Sequence, residues 1–183
     1  RLRACRAALG VQDALAGFAV PGGGDMPTRI GLHAGELLLG PVGALDHYEY
    51  RAIGDVVNTA SRIEALNKQL GTRILASEDV VGGVAGLDCR RVGRFRLAGK
   101  TQALVLYELM RVPSEAEARA RPSFEAALSA FALGDAVAAR RGFEASLALN
   151  AGDGVAAFYL DLLRDLETHD AKLPPDGVLV LPK

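Results

Sequence analysis

An amide and a guanidinium stand four residues apart in a stretch with a helical pattern, at Asn58 and Arg62. Residues with this spacing lie on the same face of an α-helix. We predict that this face lies opposite the apolar stripe of the helix, so that packing requires neither side chain. A guanidinium can hold two phosphate oxygens at once, which makes the pair a candidate clamp for a phosphate and a ribose. The alternative is an ordinary solvated helix face.

The helix that must position this pair is predicted from Val56 to Leu70. Its apolar stripe, at 100° per residue, consists of Val56, Ala60, Ile63, Leu66 and Leu70. Asp55 stands where an N-cap is preferred, and Gly71 stands where a left-handed C-cap is preferred. We therefore interpret Asp55 as a capping residue rather than as a catalytic carboxylate.

Strands are predicted on both sides of this helix. Alternating patterns and short apolar runs favour strands at 28–35, 36–43, 50–53, 73–76, 89–97 and 103–109. A helical pattern precedes them up to about Phe18, and Ser77 is expected to cap a brief helix. Because strands and helices alternate, we predict an α/β or α+β domain over residues 1–112.

The composition changes at Pro113, and a second region is predicted beyond it. Residues 113–122 are charged and rich in alanine, which predicts a linker or an exposed helix. Helical runs then predict a small all-α extension over 123–170, followed by a tail over 171–183. Its first two helices are similar to one tetratricopeptide unit, and a single unit cannot bury its own apolar face well. We expect this extension to pack on the first domain, on a second copy or on a protein partner, the alternative being a plain helical tail.

The overall composition narrows the classes of function. Half of the 183 residues are hydrophobic, which is enough to bury a core. A formal net charge of −1 gives no general attraction to nucleic acid or to an anionic membrane, so no nucleic-acid partner is expected. No apolar run is long enough to span a bilayer, and the start lacks a signal-peptide pattern. We expect a cytoplasmic chain, with any membrane anchor in an upstream sensor region of the parent protein.

The cysteines and histidines do not predict a metal site. Cys5 and Cys89 are far apart and are expected to be reduced thiols. His33 falls within a predicted strand, and His47 and His169 lie in polar surroundings. None has the spacing of metal ligands, so we interpret all three as ordinary structural or surface histidines.

The segment around Asn58 and Arg62 resembles the signature of class III adenylate and guanylate cyclases. That signature consists of an aromatic residue, two variable residues, a hydrophobic residue, Gly, Asp or Asn, a variable residue, Val, Asn, a variable residue, Ala, Ser and Arg. Every fixed position is matched by residues 50–62, Tyr-Arg-Ala-Ile-Gly-Asp-Val-Val-Asn-Thr-Ala-Ser-Arg. Further segments that resemble the family, in its order, are Ile-Gly-Leu-His-Ala-Gly-Glu at 30–36, Gly-Pro-Val-Gly at 40–43, Gly-Thr-Arg-Ile-Leu-Ala-Ser at 71–77 and Leu-Ala-Gly-Lys at 97–100. The resemblance covers residues 1–112 and implies a ferredoxin-like sheet with flanking helices, truncated at its N-terminal side.

The resemblance implies roles for four residues. Asn58 would orient the ribose so that its 3′-hydroxyl attacks the α-phosphate in line. Arg62 would stabilise the extra negative charge of the five-coordinate phosphorus. Lys100 would contact the terminal phosphates, although Ala98 stands where the family has a first lysine. Arg51 occupies the position that often reads the purine, and an arginine there fits neither the adenine nor the guanine pattern.

The resemblance also implies an active site shared between two subunits. In the family's head-to-tail dimer, one subunit gives two metal-binding aspartates and the other gives the Asn and the Arg. The aspartates hold Mg²⁺ or Mn²⁺ ions and precede the helix with which this chain begins, so we expect a fragment without metal ligands of its own. Asp25 and Asp46 are loop residues and poor substitutes for them.

These features predict a bacterial-type nucleotide cyclase acting in signal transduction. It would form a cyclic nucleoside monophosphate and pyrophosphate as a homodimer, with ATP favoured over GTP, and the fragment alone would be inactive. The alternative is a non-catalytic cyclase-like module that serves dimerisation or partner binding.

Overall fold

The computed structural model describes residues 1–16, 18, 27–44 and 47–180, so that Asp25 and Asp46 lie outside the described residues. The helices are α1 (Leu2–Ala16), α2 (Asp55–Leu70), α3 (Glu78–Val81), α4 (Glu115–Ala132), α5 (Ala136–Leu149) and α6 (Gly154–Thr168). The strands are β1 (Ile30–Leu32), β2 (Leu38–Ala44), β3 (His47–Ile53), β4 (Ile74–Ser77), β5 (Asp88–Arg96), β6 (Leu104–Met110) and β7 (Val178–Val180). No helix in the described part of the chain is long and apolar enough to cross a membrane.

Five strands form one mixed sheet in the order β1-β4-β6-β5-β7, and β2 and β3 form a two-stranded antiparallel ribbon. β1 runs parallel to β4 and β7 runs parallel to β5, whereas β6 is antiparallel to both of its neighbours. The predicted mixed α/β class is confirmed. The strands predicted on either side of Gly35 belong to different sheets, because β1 pairs with β4 while β2 pairs with β3.

Helix α2 has the predicted extent, but its N-terminal end differs from the prediction. Gly71 closes the last turn with a φ of 67°, and its N–H donates to the carbonyl of Asn67, as a left-handed cap does. At the other end the N-cap is Gly54, and no side chain caps the helix. The prediction that Asp55 caps α2 is therefore wrong. Asp55 is the first helical residue, and its carboxylate binds a side chain of a distant turn.

The buried face of α2 is rotated relative to the predicted stripe. Three residues of the stripe are buried, whereas Val56 and Ala60 are only half-buried. Two polar residues, Thr59 and Asn67, complete the buried face. Since Thr59 lies three residues before Arg62 and neighbours it on the helix surface, Arg62 lies beside the buried face and not opposite it.

A close backbone contact and a buried amide hold α2 against β1. The Asn67 side chain donates to the carbonyl of Ile30 at 3.1 Å and accepts from the hydroxyl of Thr72 at 2.8 Å. A Cβ at Gly31 would lie 2.3 Å from the carbonyl oxygen of Ala60, so only glycine permits this approach. These contacts fix the position of α2, and of the residues it carries, relative to the sheet.

The C-terminal helices pack on the sheet. One hydrophobic core contains residues of α2, of β4 to β6, of all three C-terminal helices and of β7. β7 extends the sheet, with Leu179 opposite Phe95 of β5. Residues 115–122, predicted as a linker or an exposed helix, form the first turns of α4, which a capping box between Ser114 and Glu117 begins.

A buried network of charges joins α6 to the sheet. Arg90 on β5 donates to both carboxylate oxygens of Asp153, at 2.6 and 2.7 Å, and to Glu108 on β6 at 2.8 Å. The Asp153 carboxylate also caps the first turn of α6. Nearby, the hydroxyl of Tyr159 donates to the carbonyl of Val92 at 2.9 Å. The helical extension is thus tied to the sheet by polar contacts as well as by the shared core.

Candidate active site

Both side chains of the predicted clamp are exposed on the N-terminal half of α2. Asn58 lies one turn before Arg62 on the same side of the helix. Within the described residues neither side chain has a hydrogen-bond or ion-pair partner. Their polar atoms are therefore open to a ligand.

The turn between β5 and β6 lies against Arg62. The N–H of Lys100 donates to the carbonyl of Leu97 at 2.9 Å, and Gly99 has a φ of 72°, which favours glycine at this position. A Cβ at Gly99 would lie 3.6 Å from Nη1 and 3.7 Å from Nη2 of Arg62. The guanidinium therefore lies beside the residue that precedes Lys100, so that α2 and the turn between β5 and β6 meet at Arg62.

The side chain of Lys100 turns back toward α2. Its ammonium forms a hydrogen-bonded ion pair with the carboxylate of Asp55. The hydrogen bond from Lys100 lowers the pKa of Asp55. Because the Asp55 side chain is 81% exposed, the pair contributes little to stability. Its effect is to hold the ammonium at the N-terminal end of α2.

A cavity of about 250 Å³ lies at this place. It is lined by His33, Asp55, Thr59, Lys100, Thr101, Gln102 and Leu104. Pockets for a drug-sized ligand usually measure roughly 300–1,000 Å³. This cavity is therefore large enough for part of a nucleotide, such as its terminal phosphates.

His33, directly after β1, reaches the same cavity. Its Nδ1 lies 2.8 Å from the hydroxyl oxygen of Ser77 and 3.7 Å from the carboxylate of Asp79. Burial lowers the pKa of His33, and Asp79 opposes this effect. The protonated form of the imidazole is accordingly less favoured than it is in an exposed histidine.

Arg51 lies on the β2–β3 ribbon, opposite Gly40. Its Nε donates to the carboxylate of Glu49 at 2.7 Å, and both side chains are exposed. Among the described residues, no hydrogen bond or ion pair links Arg51 to the other predicted site residues. The structure thus places Arg62 beside the turn that carries Lys100, and it leaves Arg51 in a separate pair with Glu49.

Acidic side chains do not gather into a metal site in the part of the chain that the structure describes. No group of three or more His, Cys, Asp or Glu side chains there could hold an ion. Asp55, at the start of the helix that carries the predicted clamp, is engaged with Lys100. The described residues therefore do not by themselves fit the two-ion site that the resemblance implies.

Comparison with known proteins defines the class. The family model for the adenylate and guanylate cyclase catalytic domain matches residues 2–111, which is more than half of the chain. The chain belongs to this family. The matched range includes all four predicted site residues and ends shortly before α4.

Several similar proteins are named adenylate cyclases. Adenylate cyclase 1 of Rhizobium meliloti (strain 1021) is 40% identical over 114 residues, which are 60% of this chain and 17% of that protein. The adenylate cyclase of Anabaena cylindrica is 38% identical over 84 residues, 44% of this chain and 17% of that protein. The terminal-differentiation specific adenylate cyclase of Dictyostelium discoideum is 32% identical over 90 residues, 47% of this chain and 4% of that protein. The chain spans less than a fifth of the length of these relatives.

The sequence did not predict that His33 and Thr59 line the cavity with Lys100. A signal for Thr59 was present, because it lies four residues after Asp55 and three before Arg62, on one helix face. His33 offered no comparable local signal. It reaches the cavity from another element, through the pairing of β1 with β4 and the packing of α2 on β1.

Proposed function

We propose that this chain contributes one half of a nucleotide cyclase active site, which acts on a nucleoside triphosphate through Asn58, Arg62 and Lys100. The observation that carries the proposal is the proximity of Arg62 to the Gly99–Lys100 turn. Two cations from separate elements can bind one polyphosphate chain there. Asn58, one turn before Arg62 on the same face, can hydrogen-bond a ribose hydroxyl.

The proposed reaction closes a ring within the nucleotide. The ribose 3′-hydroxyl releases its proton to solvent and its oxygen attacks the α-phosphorus, while the bond from that phosphorus to the bridging oxygen breaks. Pyrophosphate leaves with the electron pair. Asn58 holds the hydroxyl in line for attack, and Arg62 stabilises the charge that develops on the five-coordinate phosphorus. Such charge stabilisation is usually the largest catalytic effect of a site.

Lys100 is proposed to bind the terminal phosphates, which become the leaving group. In the structure its ammonium is paired with the carboxylate of Asp55. A polyphosphate carries more negative charge than one carboxylate, and it can therefore replace Asp55 as the partner of the ammonium. Because Asp55 and Lys100 both line the cavity, this exchange requires only a small movement of the lysine side chain.

ATP is the proposed substrate, since the similar proteins described above are named adenylate cyclases. Arg51 is proposed to contact the base from the β2–β3 ribbon. An arginine can stack on a purine ring or donate hydrogen bonds to its edge. To do so, Arg51 must leave Glu49, an exchange that costs little at an exposed ion pair.

The active unit is proposed to be a head-to-tail homodimer. Large apolar side chains are exposed on the β2–β3 ribbon and at the start of α2, namely Leu37, Leu38, Leu39, Val42, Tyr48, Tyr50, Ile53 and Val57. A patch of this kind is typical of an interaction surface, and an isolated two-stranded ribbon is only marginally stable in water. A second chain that covers it would meet the face of Asn58 and Arg62. In a homodimer of a longer protein, residues of the second subunit outside this segment would supply the aspartates for Mg²⁺ or Mn²⁺, since the described residues here do not provide them.

The C-terminal helices are proposed to offer a surface for a protein partner, in the manner of a tetratricopeptide unit. A groove of about 730 Å³ lies between α5, α6 and residues 171–173. We place the activity in the cytoplasm, where nucleoside triphosphates are available.

The test is product formation by a longer protein that contains this segment. With ATP and Mg²⁺ or Mn²⁺, we expect cyclic AMP and pyrophosphate in equal amounts, and less product with GTP. The 183-residue chain alone should bind ATP without converting it. A longer protein that forms a stable dimer but gives no cyclic product with either nucleotide would contradict the proposal. That result would favour a non-catalytic dimerisation module, which the exposed ribbon could equally serve.

A further inference from the structure

Three ionisable side chains line the cavity beside α2, and the charges of two of them cancel. Lys100 and Asp55 form an ion pair at this place, so together they add no net charge. A polyphosphate attracted by Lys100 would meet the Asp55 carboxylate in the same position. The remaining ionisable side chain of the described lining is His33.

The two ring nitrogens of His33 have different surroundings: Nδ1 has polar partners within the fold, and Nε2 has none among the described residues. Its Nδ1 faces the Ser77 hydroxyl and the Asp79 carboxylate, and its side chain is 13% exposed. An acidic group near Nδ1 favours a proton on that nitrogen. Within the described residues Nε2 has no hydrogen-bond partner, and it is not among the fully buried unpartnered atoms. Nε2 is therefore the ring nitrogen that is left to a ligand in the cavity.

We propose that His33 is a proton-dependent second cation for the terminal phosphates. When a polyphosphate binds beside Lys100, Nε2 takes up one proton from solvent and donates a hydrogen bond to a phosphate oxygen. The carboxylates of Asp79 and Asp55 and the incoming phosphate stabilise the imidazolium, and Lys100 opposes it. The inference rests on the function proposed above and adds that phosphate binding depends on pH.

The direction of the pH dependence follows from the two states of His33. Burial lowers the pKa of His33 in the chain without phosphate, and a bound phosphate raises that pKa again. Affinity is therefore highest below the pKa of the phosphate-free chain and declines as the pH rises to the pKa of the phosphate-bound chain. Between these two values the dissociation constant rises about tenfold per pH unit, because one proton is bound with the ligand.

Nuclear magnetic resonance of the full 183-residue chain tests this directly. The ring resonances of His33 are followed against pH with and without saturating inorganic tripolyphosphate, a probe that lacks ribose and base. We expect the titration midpoint of His33 to move to higher pH with the probe bound. His169, at the end of α6, is an internal control whose resonances should not respond. An unchanged midpoint of His33 with the probe bound would overturn the inference.

A variant pair tests it independently. Tripolyphosphate affinity is measured against pH for the wild-type chain, for His33→Gln and for the control His169→Gln. Protonation of tripolyphosphate itself affects all three affinity curves equally. The difference between the curves of the wild type and His33→Gln therefore reports the contribution of His33. As the pH rises, the affinity of the wild type and of the control should fall more steeply than that of His33→Gln. The additional decrease should be up to tenfold per pH unit. Parallel curves would overturn the role of His33 alone, whereas no binding by the wild type at any pH would also overturn the proposed function.

Discussion

The Asp55 carboxylate determines how much of the Lys100 charge is available to a ligand. It pairs with the ammonium of Lys100 across 45 positions of sequence, and it lies on the same helix face as Thr59 and Arg62. A phosphate that binds here must share the ammonium with this carboxylate. We therefore expect Asp55 to weaken phosphate binding while it holds the Lys100 ammonium at the N-terminal end of α2.

Asp55→Asn should strengthen the binding of tripolyphosphate to the chain. In a solvent-exposed site, repulsion between the Asp55 carboxylate and a phosphate charge about 4–6 Å away is worth roughly 1 kcal/mol. Its removal should raise the affinity about fivefold. Isothermal titration calorimetry at pH 7 and low salt measures the change, which should shrink in high salt. Asp161→Asn is the control, because Asp161 pairs with Arg164 on the exposed side of α6. Weaker binding by Asp55→Asn would mean that holding Lys100 in place outweighs the repulsion.

At the scale of elements, the site depends on how closely α2 approaches β1. Gly31→Ala should destabilise the chain, because its Cβ would lie 2.3 Å from the carbonyl oxygen of Ala60 and 2.4 Å from the backbone N of Glu64. Both are backbone atoms, so α2 must move, at a cost of about 1–3 kcal/mol. Urea unfolding measures the loss.

The matched control for this substitution is Gly10→Ala in α1. A Cβ at Gly10 would meet no atom within 4 Å, and alanine in a helix is favoured over glycine by roughly 0.5–1 kcal/mol. We expect this control to be neutral or stabilising. Equal stability of the two variants would show that the α2–β1 contact is less tight than described.

Local patterns predicted α2 well, because helix periodicity and the Gly71 cap are properties of neighbouring residues. They predicted the role of Asp55 wrongly, because a capping aspartate and one that pairs with a distant lysine look alike in sequence. The rotation of the buried face was missed for a similar reason. Thr59 and Asn67 are polar, so their types do not predict burial. Hydrogen bonds within the fold make their burial possible: Thr59 donates to the carbonyl of Asp55, and Asn67 donates to that of Ile30.

Pairings between distant segments were the least predictable part of the fold. The apolar run that forms β7 was visible in the sequence, but its place beside β5 is set by the helices that lie between them. The same holds for Arg62 and the Gly99–Lys100 turn, which come together through the packing of α2 on the sheet. Residue types and spacing were thus enough to predict a candidate clamp on α2, whereas the cavity that Lys100 and His33 line could not be predicted from them.

At the scale of the whole molecule, the sheet and the C-terminal helices share one core. Asp153→Asn should cost about 3–5 kcal/mol, because it removes one charge of a buried ion pair and leaves Arg90 incompletely compensated. Urea unfolding should show a single transition with a lower midpoint. The exposed Asp161→Asn variant is again the control, with a change of at most about 0.5 kcal/mol. Two separate transitions would contradict the shared core.

The central claim is that Arg62 acts on the charge of the transition state, and turnover tests it most directly. In a longer protein that contains this segment, Arg62→Ala should lower kcat on the order of 10²–10³-fold. The matched control is Arg119→Ala, which removes an exposed arginine of α4 and should leave kcat unchanged. Wild-type turnover by Arg62→Ala, measured as cyclic AMP formed from ATP, would contradict the account.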